Sequence, residues 1–153
     1  MMRPLLLALT LSLALPGAAS ANAAFCTALQ QVVQAAQSRF DWMPRTGRNI
    51  PGSLDERHGT LETPGGAPRG VFTEVMSRHD PRQLPDPTQD RFRALQHEVG
   101  QCLTDASFQG LTEGQGTAQA AWTTQYAVVG LRRADGGREV ADSIVELSIA
   151  SRW

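Results

Sequence analysis

The chain has 153 residues, the size of one domain, and its fourteen cationic side chains stand against fifteen carboxylates for a formal charge of −1. Every cation is an arginine and the two signs are interspersed, so no basic stripe offers itself to nucleic acid and no cationic patch to an anionic membrane. Two cysteines, Cys26 and Cys102, are present without a Cys-x-x-Cys spacing, which removes the thioredoxin-type redox motif.

The N-terminus carries Met1-Met2-Arg3, the apolar run PLLLALTLSLAL, then Pro16-Gly17 and small residues. A basic start, a short apolar core and small-x-small sites ending at Ala21 and Ala23 are the layout of a secretory signal peptide. The apolar run is too short for a comfortable membrane span, which takes about 20 residues. The expected organisation is a signal peptide over 1–23 and a single α+β domain over 24–153, exported to the periplasm or beyond and not membrane-spanning after cleavage. A lipid anchor on Cys26 would need a small residue before it, and Phe25 stands there.

Phe25, Leu29, Val32, Val33, Ala36 and Phe40 recur at three- and four-residue steps and predict a helix over 25–40, with Asp41-Trp42-Met43-Pro44 as its stop. From Pro44 to Gly70 the chain reads as a long loop or weak hairpin, in which LDERHGTLET supplies one strand. GVFTEVM (70–76) is a better strand, with Val71, Thr73 and Val75 on one face and Phe72, Glu74 and Met76 on the other. A second helix starts at Asp86-Pro87 with Gln89 at capping-box spacing, and its stripe is Phe92, Leu95, Val99, Cys102, Leu103 and Ala106. The following TDASFQGLTEGQG reads as a terminator with a short strand near Phe108. A C-terminal hairpin is expected from Thr123–Arg133 and Arg138–Ser151. A three-residue loop at Asp135-Gly136-Gly137 would pair Leu131 with Ala141, Val129 with Ser143 and Ala127 with Val145, with Gly137 left-handed. The order α-β-β-α-β-β implies an antiparallel sheet of about four strands packed against two helices.

Cys26 and Cys102 fall on the flanks of the two helical stripes. Their pairing would close a loop of about 75 residues, worth ~4 kcal/mol by loop entropy. Two cysteines in an exported chain pair more often than they stay free, so a Cys26–Cys102 disulfide is expected.

Catalytic patterns are sparse. His58, His79 and His97 lack a zinc spacing, even with Asp80 beside His79, and no metal or other cofactor is expected. Asp55-Glu56, and Asp142 with Glu146, are the nearest carboxylate pairs; as exposed charges on strands they carry no chemistry. No Gly-x-Ser-x-Gly is present, and GLTEGQGT lacks the Lys-Ser/Thr of a phosphate-binding loop. The alternating C-terminus VELSIASRW has the form of a barrel strand, but two helical stripes leave no room for eight such strands.

The loop MPRTGRNIPG carries Arg45 and Arg48, with Arg57 and Arg69 further on and Trp42 just before it. Guanidinium forks suit carboxylates and an aromatic anchor suits an interface, so Trp42, Arg45, Arg48, Arg57 and Arg69 are the candidate partner-binding residues; the alternative for Trp42 is a place in the core. The expected function is therefore that of a small non-enzymatic exported protein acting through a protein–protein surface on an envelope protein, with an inhibitor or immunity-type role fitting its size. A carrier with a pocket between sheet and helices, and a small hydrolase without a recognisable motif, are the alternatives.

Overall fold

A computed structural model describes the backbone of residues 17–45, 47–137 and 141–153, and side chains from residue 23 onward. It shows an α+β fold in which two helices cover one face of a six-stranded antiparallel sheet. Helix α1 is Gly17–Ala35, continued by a 3-10 turn at Ala36–Ser38. Strands β1 (Asp55–Leu61) and β2 (Arg69–His79) follow, then helix α2 (Thr88–Cys102). Strands β3 (Ser107–Gly114), β4 (Thr117–Thr123), β5 (Ala127–Ala134) and β6 (Ser143–Ser151) complete the chain. The sheet order is β1-β2-β6-β5-β4-β3, so β6 returns to the middle and the last strand closes the fold against β2.

The core forms where the sequence periods agree. Leu29, Val32, Ala35 and Ala36 from the first helical segment and Phe92, Leu95 and Val99 from α2 meet the inward residues of the sheet. Those are Phe72 and Met76 of β2, Ala118, Ala120 and Trp122 of β4, Ala127, Val129 and Leu131 of β5, and Val145, Leu147 and Ile149 of β6. Alternation on β4, β5 and β6, and on β2 up to its bulge after Val75, faces a 3.6 period on two helices. Cys26 and Cys102 are joined by a disulfide across 76 residues, which ties α1 to the last turn of α2. Asp86 Oδ1 accepts the Thr88 N–H at 2.8 Å, so the expected aspartate does cap α2. Among the described residues no helix is long and apolar enough to cross a membrane.

Three expectations are corrected. The sheet has six strands, not about four. β3 and β4 form a hairpin around Gly116, whose φ is +70°, where the sequence suggests only a terminator and a short strand. Every residue of β3 is exposed, so it has no buried face to print an apolar alternation. The order therefore gains two strands after α2.

The second correction concerns the last hairpin. Leu131 pairs with Leu147, Val129 with Ile149 and Ala127 with Ser151. The strands slide six residues beyond the tight-turn register, keeping the same side chains inward. The longer register pairs all of β5 with β6 while β6 also pairs β2 from Val71 to His79. Asp135 is drawn off the turn: its N–H donates to the Gly116 carbonyl at 2.7 Å, and Gly136 N–H donates to Ser143 Oγ at 3.1 Å. Gly137 is not among the left-handed glycines. Residues 138–140 at the start of the expected second arm lie outside the described residues, as do residues 1–16 of the expected signal peptide.

The third concerns the end of the first helix. The chain leaves the helical path before Asp41, because Arg39 (φ 55°) and Phe40 (φ 64°) are both left-handed. Each such non-glycine residue costs about 1 kcal/mol. The turn drops Phe40 into the core, 5% exposed and 5.9 Å from the Phe72 ring.

Candidate functional site

The reversed turn after the first helix sits against the start of β2. A Cβ on Gly70 would stand 2.9 Å from the Arg39 carbonyl oxygen and 3.1 Å from Phe40 Cδ2. Glycine is thus required there by backbone approach. Gly70→Ala is expected to lower stability by about 1–3 kcal/mol, read by urea denaturation, because a backbone oxygen cannot swing away. Gly59→Ala, whose added Cβ meets nothing within 4 Å, should change it by less than about 0.5 kcal/mol.

Between this turn and the β1–β2 edge lies a cleft of about 310 Å³, lined among others by Arg39, Asp41, Arg45, His58, Thr60 and Gly70. Neither the Arg39 nor the Arg45 guanidinium has an ion-pair or hydrogen-bond partner among the described residues, and both residues are exposed. Beside it, Trp42 is 61% exposed, which places it on the surface rather than in the core. Arg48 is exposed on the same loop.

The cleft floor is held by a polar cluster on the helix-facing side of β1 and β2. Glu56 and Glu74 are direct cross-strand partners, as are His58 and Phe72. The His58 ring stands edge-on to Phe72 at 4.8 Å, and its Nε2 is 2.8 Å from Glu56 Oε1. Glu56 also accepts the Asn49 backbone N–H at 2.7 Å and the Asn49 side-chain amide at 2.8 Å. Burial raises the Glu56 pKa, but these donors and the Glu74 carboxyl outweigh it and hold the group below its ordinary range. Glu56 is therefore a carboxylate, and His58 Nε2–H donates to it.

Glu74 behaves oppositely. It is 0% exposed, and burial, with the neighbouring Glu56, raises its pKa to about 8 against the bonds from Ser53 and Ile50. Ser53 Oγ donates to Glu74 Oε2, while Oε1 has no partner as a carboxylate acceptor. Protonated, that oxygen becomes a donor toward the Glu56 carboxylate, and the pair shares one proton. With no exposed surface, Glu74 positions Glu56 and His58 and touches no ligand itself.

The remaining candidates lie apart from the cleft. Arg57 points to the opposite face of β1, where its guanidinium bonds Glu146 at 2.9 Å. Arg132 reaches the other oxygen of the same carboxylate, also at 2.9 Å. This bridge passes over β2, where Val75 is 1% exposed although it belongs to the outward alternation. Arg69 opens β2, half-buried, opposite Leu61. Asp55 and Glu56 face opposite sides of the sheet, so they are not a working pair. Asp142 lies 3.9 Å from Arg78 in a loose contact, separate from Glu146. His79 Nε2 bonds the Gln83 carbonyl oxygen at 2.7 Å, remote from His58.

Sequence reasoning singles out Arg45 and Trp42 but misses Arg39, His58 and Glu74 as neighbours. Arg39 is hidden by the expectation that the helix runs to Phe40. Glu74 carries a legible signal: it alternates with Phe72 and Met76, so a carboxyl is forced onto the buried face.

The sheet order and the helix-side cleft define an α+β domain with a polar edge site. No protein-family model matches the chain, and no curated protein or solved structure matches it.

Proposed function

We propose that the protein is a non-enzymatic binding protein that acts through a protein–protein surface centred on residues 39–48. The observation that carries this reading is the exposed Trp42 in a segment that also carries Arg39, Arg45 and Arg48, three exposed guanidiniums with no ion-pair partner among the described residues. An exposed tryptophan with unpaired arginines is the composition of an interface anchor. The turn beneath it is fixed by Gly70 and Phe40, so the anchor is presented on a rigid support, which lowers the ordering cost of association. An envelope protein is the partner class, and an inhibitor or immunity-type role belongs to the same reading. The disulfide, together with the basic start and short apolar run of the N-terminus, supports export to the periplasm or the medium.

The test is a crosslinked pull-down of the tagged chain, expressed from its full sequence in its own cells and quantified by mass spectrometry. One stoichiometric partner is expected, with affinity falling roughly tenfold in Trp42→Ala. A folded, disulfide-bonded protein that enriches nothing would contradict the reading.

A further inference from the structure

We infer that the cleft beside Trp42 binds a carboxylate, the side chain of an aspartate or glutamate presented by the protein partner. This deepens the binding reading above and rests on it.

Arg39 and Arg45 reach the cleft from the two ends of one reversed turn, and neither guanidinium has a partner among the described residues. Each guanidinium carries five N–H donors in a planar fork that matches a carboxylate. An unpaired fork in a concave site is satisfied either by water or by an anion. Asp41 is the only carboxylate among the residues lining this cleft. Its charge leaves a single net positive charge there, which one carboxylate neutralises. A phosphate dianion would leave the site negative, and a cation would face both guanidiniums.

The floor sets no competing carboxylate against that ligand. With Glu56 held as a carboxylate, His58 turns its Nε2–H inward and is locked edge-on to Phe72. The negative charge of Glu56 is taken up by Asn49 and His58 rather than offered to the cleft. At Gly70 the backbone of the turn packs too closely on β2 for a side chain, which fixes the turn that carries Arg39 against the cleft. At about 310 Å³ the cleft has room for one side chain and lies at the small end of ligand pockets. Trp42 follows the lining residue Asp41 directly in the chain and is exposed, so it offers the partner an apolar contact next to the site while the arginines fix orientation.

The test is a ¹H–¹⁵N titration of the same chain with N-acetyl-glutamate methylamide, N-acetyl-glutamine methylamide, glutarate and inorganic phosphate. The glutamate derivative should give saturable shifts at the Gly59, Thr60 and Gly70 amides and the Arg39 and Arg45 Nε–H signals. Its Kd should lie on the order of millimolar, as for one charge-assisted contact. The glutamine derivative should give none. Arg39→Gln and Arg45→Gln should each weaken binding roughly fivefold or more, with the amide spectrum elsewhere unchanged.

Equal shifts from the neutral derivative, or no saturation by about 50 mM, would overturn the assignment. Tighter binding of phosphate would overturn the carboxylate. Glutarate binding more than about tenfold tighter than the glutamate derivative would make this a free small-acid site and overturn the partner side chain as its source. Partner capture reads separately: a captured partner with no carboxylate binding defeats only this inference, whereas carboxylate binding with no partner defeats the protein–protein surface and the partner as the source of the carboxylate.

Discussion

Replacing Cys26 and Cys102 together by alanine is expected to lower the stability of the folded chain by about 3 kcal/mol and its Tm by roughly 10 °C. The bridge closes a loop across 76 residues, for which loop entropy sets a ceiling of ~4 kcal/mol. The effect should be large because α1 has few other long-range anchors of this strength. Its inner stripe packs on the sheet, and Gln30 Nε2 donates to the Cys102 carbonyl oxygen at 2.9 Å next to the bridge. Without the bridge, the segment of α1 around Cys26 keeps the burial of Phe25 and Leu29 and that bond. Urea denaturation of the oxidised protein and the double variant measures the difference. A change below about 1 kcal/mol would mean that the unfolded chain is already constrained, or that α1 contributes little.

Stability is also expected to fall on the alkaline side. A carboxyl whose folded pKa is raised to about 8 from 4.5 binds its proton more tightly in the folded state than in the unfolded one. The stabilisation from Glu74 is thus fully present below 4.5 and is lost as pH rises through about 8. Glu56 has the opposite sign: its folded pKa is lowered from 4.5, so its stabilisation is present above that value and is lost in acid. Together they place the maximum at roughly pH 4–5, with a fall of a few kcal/mol that is complete by about pH 9. Thermal unfolding across pH should show this limb in the native chain. In Glu74→Gln, which keeps a donor toward Glu56 without a titrating proton, the limb should be flat. An unchanged limb in that variant would assign it to another group.

Much of this architecture is legible in the residues. The helical stripes of Phe25 to Ala36 and Phe92 to Cys102 place both helices and, through their flanks, the disulfide. The alternation at 71–76 and 127–131 places the strands because one face is buried and the other wet. What the residues hide has a physical cause in each case. β3 is exposed throughout, so its pattern has no period. The β5–β6 register is decided by pairing with β2, which no local turn rule contains. The left-handed pair Arg39–Phe40 reflects a tertiary gain, the burial of Phe40 against Phe72, that outweighs local preference. The cleft follows from that turn, which is why Arg39 and His58 meet although 19 positions separate them in the sequence.

The most direct measurement of the binding surface is a photo-crosslinking comparison in the producing cells. A benzophenone amino acid is placed at Trp42 in one chain and at Gln115, in the exposed β3–β4 turn, in another. A single partner adduct from position 42, absent from position 115, is the predicted result. Adducts of equal yield from both positions, or none from position 42 in a folded and bridged chain, would contradict a surface centred on residues 39–48.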